Sequence, residues 1–177
     1  MNRGRSDSFR RLVRGCLVAI IACVSVFQIC GWFGLRFNVS PSLPVGVYVA
    51  NDTGRLVEFC PAEPFASMAI TRGYRAPGAC PDGGTPLLKP VIATTGDIVD
   101  VLADGIVVNG VRVPNTAPLP ADSNGRPLSQ WPFGRYTVSA GTVWVASSYN
   151  ARSFDSRYFG PVPVDAIRNR VRPALCF

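Results

Sequence analysis

Apolar positions along the chain fall into two regimes. From Gly15 to Leu35 no charged residue occurs, a run of 21 positions, and at about 1.5 Å of rise per residue such a helix would reach roughly 31 Å, about one hydrocarbon thickness. The run predicts a transmembrane helix at 15–35. A cleaved signal peptide shares the pattern of a basic start followed by an apolar stretch. Against cleavage, the run exceeds the usual signal core and ends in Gly31-Trp32-Phe33-Gly34-Leu35-Arg36, with an aromatic pair where an interfacial belt belongs.

After Arg36 the pattern becomes one of short apolar and β-branched runs separated by turn residues, which predicts strands. Residues 45–50 read as a strand, Asn51-Asp52-Thr53-Gly54 as a turn and 55–59 as a second strand. Residues 64–71 suit a short helix, and a loop follows through Gly73, Pro77, Gly78, Pro81, Gly83, Gly84 and Pro86. Residues 87–93 are apolar, Thr94-Thr95-Gly96-Asp97 turns the chain, and 98–102 continue the pattern. The hairpin dipeptides Asp104-Gly105 and Asn109-Gly110 then bracket Ile106-Val107-Val108, with 111–113 after them, so a β-meander is predicted here. Residues 115–134 hold Pro118, Pro120, Pro127 and Pro132 with few apolar positions and read as an exposed loop or flap. Strands return at 135–138 and 141–146, 147–160 reads as irregular, and 162–171 closes the domain. The expected organisation is a basic cytoplasmic segment at 1–14, the membrane helix at 15–35 and a mainly β domain at 36–177.

Composition narrows the chemistry. A chain of 177 residues suits one domain plus an anchor. Histidine is absent, so Ser-His-Asp and Cys-His arrangements and His-containing zinc sites are excluded. Phosphate-loop, dinucleotide and zinc-ribbon motifs are also missing, and neither a metal nor a cofactor is expected. The net charge of +7 does not point to nucleic acid, because Arg3, Arg5, Arg10, Arg11 and Arg14 are gathered at the start against the single acid Asp7. That placement suits a membrane surface, and the positive-inside rule puts the N-terminus in the cytoplasm and the β domain outside it. Cys16, Cys23 and Cys30 recur every seven residues on one helix face as apolar fillers or a packing stripe. Cys60 and Cys80 flank a Pro/Gly-rich loop and are candidates for a disulfide in that oxidising space, which leaves Cys176 over unless it pairs with one of them.

Two stretches could carry chemistry. Asn38-Val39-Ser40-Pro41-Ser42-Leu43-Pro44-Val45-Gly46-Val47-Tyr48 sets two hydroxyls among residues that limit backbone freedom, so it should be a stiff extended turn. It reads either as a linker leaving the anchor or as the seat of a nucleophilic serine. Lys89 sits between Leu87-Leu88 and Pro90-Val91-Ile92-Ala93. It is either a snorkelling or edge-strand lysine, or one whose burial lowers its pKa enough for the amine to accept a serine proton.

Ser40-Pro41-Ser42-Leu43-Pro44, the run from Lys89 through Thr94-Thr95-Gly96-Asp97 to Val99, and Ser153-Phe154-Asp155-Ser156-Arg157-Tyr158-Phe159-Gly160-Pro161-Val162 together resemble the three sequence boxes of the type I signal peptidase family. The order and spacing also match. The single N-terminal anchor, the Leu-Pro-x-Gly-Val-Tyr continuation and the Cys60 to Cys80 segment resemble its TraF-type conjugative-transfer branch. The resemblance runs from about Phe37 to the C-terminus. It implies a signal-peptidase-like β-sheet catalytic domain in which Ser42 is the nucleophile and Lys89 its general base. It also implies an oxyanion hole formed by the backbone N–H of Ser42 and the hydroxyl of Ser40, and a Ser153 that orients the lysine. Asp155 and Arg157 would be either an ion pair bracing the site or, for Asp155, a functional residue. Leu43 departs from the methionine common after the nucleophile in general leader peptidases, which favours the conjugative branch.

The resemblance thus implies a serine endopeptidase anchored in the bacterial inner membrane and facing the periplasm. Its substrate would be a membrane-embedded, pilin-like precursor, with conjugative secretion components as neighbours, and the product would be released by water or closed head-to-tail by an amine. The rival readings are a general signal peptidase and an inactive anchored β module that scaffolds a secretion or pilus assembly.

Overall fold

The computed structural model describes the backbone of residues 3–32 and 34–177, and their side chains except at 3–9, 26, 27 and 29–32. The chain divides into two units, residues 1–36 and 37–177. The first is a 30-residue helix, α1 (Arg3–Trp32). It takes in most of the expected span but stops short of residue 35, because Leu35 already opens a strand, β1 (Leu35–Asn38). Among the described residues no helix is long and apolar enough to cross a membrane, so the anchor stands on the sequence pattern alone. Cys16 and Cys23 are both exposed on α1. The side chains of Cys30 and of the Trp32-Phe33 pair lie outside the described residues.

The second unit is mainly β. In chain order it contains β2 (Gly46–Ala50), β3 (Leu56–Phe59), α2 (Phe65–Thr71), β4 (Leu87–Ala93), β5 (Ile98–Leu102), β6 (Gly105–Val108) and β7 (Val111–Arg112). After these come β8 (Gly134–Thr137), β9 (Thr142–Val145), α3 (Ser156–Phe159), β10 (Val162–Pro163) and β11 (Ile167–Cys176). A seven-stranded sheet runs β1-β2-β11-β3-β4-β9-β10 and a four-stranded sheet runs β7-β6-β5-β8. The closing strand is therefore inserted between β2 and β3, antiparallel to both.

The meander is smaller than the sequence pattern suggests. β5, β6 and β7 do form successive hairpins, but β4 belongs to the other sheet, between β3 and β9. The turn after it redirects the chain: Gly96 takes φ 87°, a conformation open to glycine, and the Asp97 carboxylate accepts the Thr94 N–H at 2.7 Å. This corrects the setting of Lys89, which lies in an interior strand whose buried positions are Leu87, Lys89 and Ala93.

Two apolar clusters share β9. Val143 and Val145 pack with Val57, Phe59, Leu87 and Phe159, whereas Trp144, pointing the other way by strand alternation, packs with Ala93, Val99, Val101 and Ile106. Residues 115–134 are not a free flap. Asp122 accepts hydrogen bonds from Tyr74 Oη at 2.5 Å and Arg126 Nε at 2.7 Å, Tyr158 Oη accepts the Leu119 N–H, and the Trp131 ring meets Trp144 edge-on. The segment that reads as wholly irregular, 147–160, contains the short helix α3, capped by the Asp155 side chain. Cys60 and Cys80 form a disulfide, and Cys176 is a free, half-buried thiol.

Candidate active site

The serine-bearing loop between β1 and β2 is organised by Asn38, a buried residue at the end of β1. Its Oδ1 accepts the Ser40 N–H at 3.1 Å and the Ser40 hydroxyl at 2.8 Å. Its Nδ2 donates to the carbonyls of Ser40, Leu43 and Pro44 at 3.0, 3.2 and 3.1 Å. On the far side of the turn Leu43 packs with Tyr48 and Val171, and Tyr48 Oη donates to the Pro44 carbonyl at 2.7 Å. A loop with three of its carbonyls engaged in this way has little freedom, and Ser42 sits half-buried within it.

Lys89 reaches this loop from the buried face of β4. It is 3% exposed, and its Nζ lies 2.5 Å from Ser42 Oγ and 3.0 Å from Ser153 Oγ. Burial disfavours the ammonium and pushes the Lys89 pKa down to about 8; the charge of Asp155 opposes the shift and that of Arg157 adds to it. A neutral amine in this position can accept the Ser42 proton, and Ser153 fixes its direction.

Asp155 and Arg157 are both fully buried and paired, with Arg157 Nε donating to Asp155 Oδ1 at 2.8 Å and a second guanidinium nitrogen donating to Oδ2 at 3.0 Å. The remaining donors of Arg157 go to the carbonyls of Asn115, Ala151 and Ser147. Asp155 also accepts the Ser147 N–H at 3.0 Å. Such saturation is what keeps two charges tolerable in the interior. Asp155 makes no hydrogen bond to Lys89 among the described residues and acts on it through its charge, so the geometry favours the bracing role over a direct one.

Ser40 stands differently from its expected role. Its hydroxyl proton points to Asn38 Oδ1 and would have to rotate to serve an oxyanion. The Ser42 N–H has no acceptor among the described residues, as a donor held ready for substrate requires.

Three polar side chains at this site are not picked out by sequence reasoning. Asn38 had a legible signal, since Asn two residues before Ser40 is an Asx-turn pattern. Ser147 and Asn150 had none: Ser147 Oγ donates to the Ser42 carbonyl, and Asn150 Nδ2 donates to the Pro41 carbonyl at 3.0 Å. A further signal lay in the composition, because Lys89 is the only lysine in the chain.

The family model for signal peptidases, peptidase S26, matches residues 7–175. The chain belongs to the peptidase S26 signal peptidase family. Among similar proteins, the plasmid transfer protein TraF of Escherichia coli is 35% identical over 175 residues, covering 96% of this chain and 98% of the relative. The conjugal transfer protein TraF of Agrobacterium fabrum is 38% identical over 151 residues, covering 81% and 84%. A crystal structure of a signal peptidase I from Enterococcus faecalis superposes on 68% of this chain and 96% of its own, at 20% identity and a TM-score of 0.35, a likeness too loose to add weight. Membership of S26 supports a peptidase.

Proposed function

We propose that this S26 member is a serine endopeptidase in which Ser42 attacks the scissile carbonyl and Lys89 is the general base. The observation that carries the reading is the buried Lys89 amine within 2.5 Å of Ser42 Oγ. The neutral amine takes the Ser42 proton as the Oγ–C bond forms, and the resulting oxyanion is met by the Ser42 N–H and by the Ser40 hydroxyl once it turns from Asn38. The Lys89 ammonium then returns its proton to the leaving amine as the peptide C–N bond breaks, leaving an acyl-enzyme. Water, or an amine of the same product, completes the cycle by displacing Ser42.

The setting proposed is conjugative transfer, on the strength of the TraF relatives at 35% and 38% identity, with a pilin or similar secreted precursor as substrate. The uncharged run at 15–35 and the arginines before it support an anchor in the inner membrane with the β domain in the periplasm, and the Cys60–Cys80 disulfide suits that compartment. Anchoring would hold Ser42 near the height at which a membrane-embedded precursor presents its cleavage site, which raises effective concentration without any new contact.

The test is mass spectrometry of the candidate pilin from cells carrying the wild-type chain, Ser42→Ala or Lys89→Ala. Each variant is expected to leave the precursor uncut, and loss of one water from the mature product would mark ring closure. Continued processing in either variant would refute the dyad and favour a scaffolding role. Rescue of a strain depleted of its housekeeping signal peptidase would instead favour a broad-specificity enzyme.

A further inference from the structure

A nucleophile held against a base also needs its two neighbouring peptide groups held. The planes flanking Ser42 carry the group that would stabilise the oxyanion, the Ser42 N–H, and the backbone torsions that aim Oγ. Both planes are tied to the 147–153 loop. Asn150 Nδ2 donates to the Pro41 carbonyl at 3.0 Å, and in a planar trans peptide that carbonyl points opposite to the Ser42 N–H, so fixing one aims the other. Ser147 Oγ donates to the Ser42 carbonyl, the next peptide plane along.

The tie is itself anchored. Ser147 is fully buried, and its Oγ accepts the N–H groups of Tyr149 and Asn150 at 3.1 and 3.2 Å, leaving its one proton for Ser42. Its own N–H goes to Asp155 and its carbonyl to Arg157. Asn150 is set in turn by its Oδ1, which accepts the Arg152 N–H at 2.8 Å, and its carbonyl accepts the Ser153 N–H at 3.1 Å.

We infer that Ser147 and Asn150 are positioning residues that clamp the carbonyls on either side of Ser42, and that the buried Asp155–Arg157 pair serves the reaction through this clamp. The inference rests on the proposed Ser42–Lys89 dyad. It separates two supports of the site: Ser153, which opens the third sequence box, holds the amine, whereas Ser147 and Asn150, just before that box, hold the nucleophile and its oxyanion donor.

The experiment uses the full-length chain in detergent and the pilin precursor of the same conjugative system, with kcat, KM and the pH midpoint of processing measured for Ser147→Ala, Ser147→Thr, Asn150→Ala and Asn150→Asp. Misplacing a reacting group by a fraction of an ångström to about 1 Å is expected to lower kcat by about 10- to 100-fold for Ser147→Ala and Asn150→Ala. KM should change less than about threefold, and the pH midpoint should stay in place because Lys89 is untouched. Ser147→Thr keeps the hydroxyl and should recover most of the rate, whereas Asn150→Asp, which has no N–H to donate, should not. Equal kcat in Ser147→Ala and wild type overturns the clamp, as does a loss expressed in KM or in the pH midpoint. Should Ser147→Ala fold poorly, Asn150→Ala and Ser147→Thr decide alone. Ser42→Ala run beside them separates the cases: if it still processes the precursor, the dyad fails; if it is dead while the clamp variants are normal, only the clamp fails.

Discussion

The state of the Lys89 amine can be measured directly, because the chain has one lysine and no histidine. With its pKa brought down from 10.5 to about 8 by burial, the neutral fraction should be about 90% at pH 9, about 10% at pH 7 and about 1% at pH 6. If the neutral amine is the base, processing should fall close to tenfold per pH unit below the midpoint, or roughly 50- to 100-fold between pH 9 and pH 6. The perturbation is acidification alone, and the assay has two arms. Nitrogen-15 lysine labelling gives a single side-chain resonance whose titration reports the amine, and initial rates of precursor processing are followed over the same range. The two midpoints should coincide. A Cys176→Ser variant removes the free thiol of the β domain from the comparison and should leave the profile in place. An amine that titrates near 10.5, or a rate that varies by less than about threefold from pH 9 to pH 6, would refute the assignment of Lys89 as a buried base.

Stability should carry the mark of the same buried amine. The folded pKa lies below the unfolded one, so the unfolded chain binds the extra proton between about pH 8 and 10.5 and wild-type stability should rise with pH across that window. Lys89→Met should accordingly be more stable than wild type at pH 7, by at most about 3 kcal/mol at 1.36 kcal/mol per pKa unit, and this gain should vanish above pH 11 in denaturant titrations. Arg157→Ala leaves the Asp155 carboxylate buried without its partner and should cost about 3 to 5 kcal/mol of stability by chemical denaturation. Asn38→Ala removes five hydrogen bonds within the serine loop. It should lower the processing rate at least tenfold, with a drop in thermal midpoint that corresponds to about 1 to 3 kcal/mol.

Local chemistry made much of this protein legible. Strand β4 could be read at its full length, from Leu87 to Ala93, since apolar and β-branched residues bounded by turn residues need no partner to declare themselves. The same holds for the hairpin dipeptides around β6 and for the short helix α2. The apolar surroundings of Lys89 were visible in its immediate neighbours. What stayed hidden depends on residues far apart in the chain. That β4 lies inside a sheet rather than in the meander follows from pairings with β3 and β9, which strand periodicity does not encode. The hold of Ser147 on Ser42 spans 105 positions and that of Asn150 on Pro41 spans 109. A serine or asparagine in an irregular stretch looks the same whether it faces solvent or a carbonyl. Sequence alone could therefore determine which backbone each segment prefers and which side chains are chemically able to act. Their assembly within hydrogen-bond reach was decided by the folded sheet, because long-range strand pairing and burial, not local preference, set where each segment comes to rest.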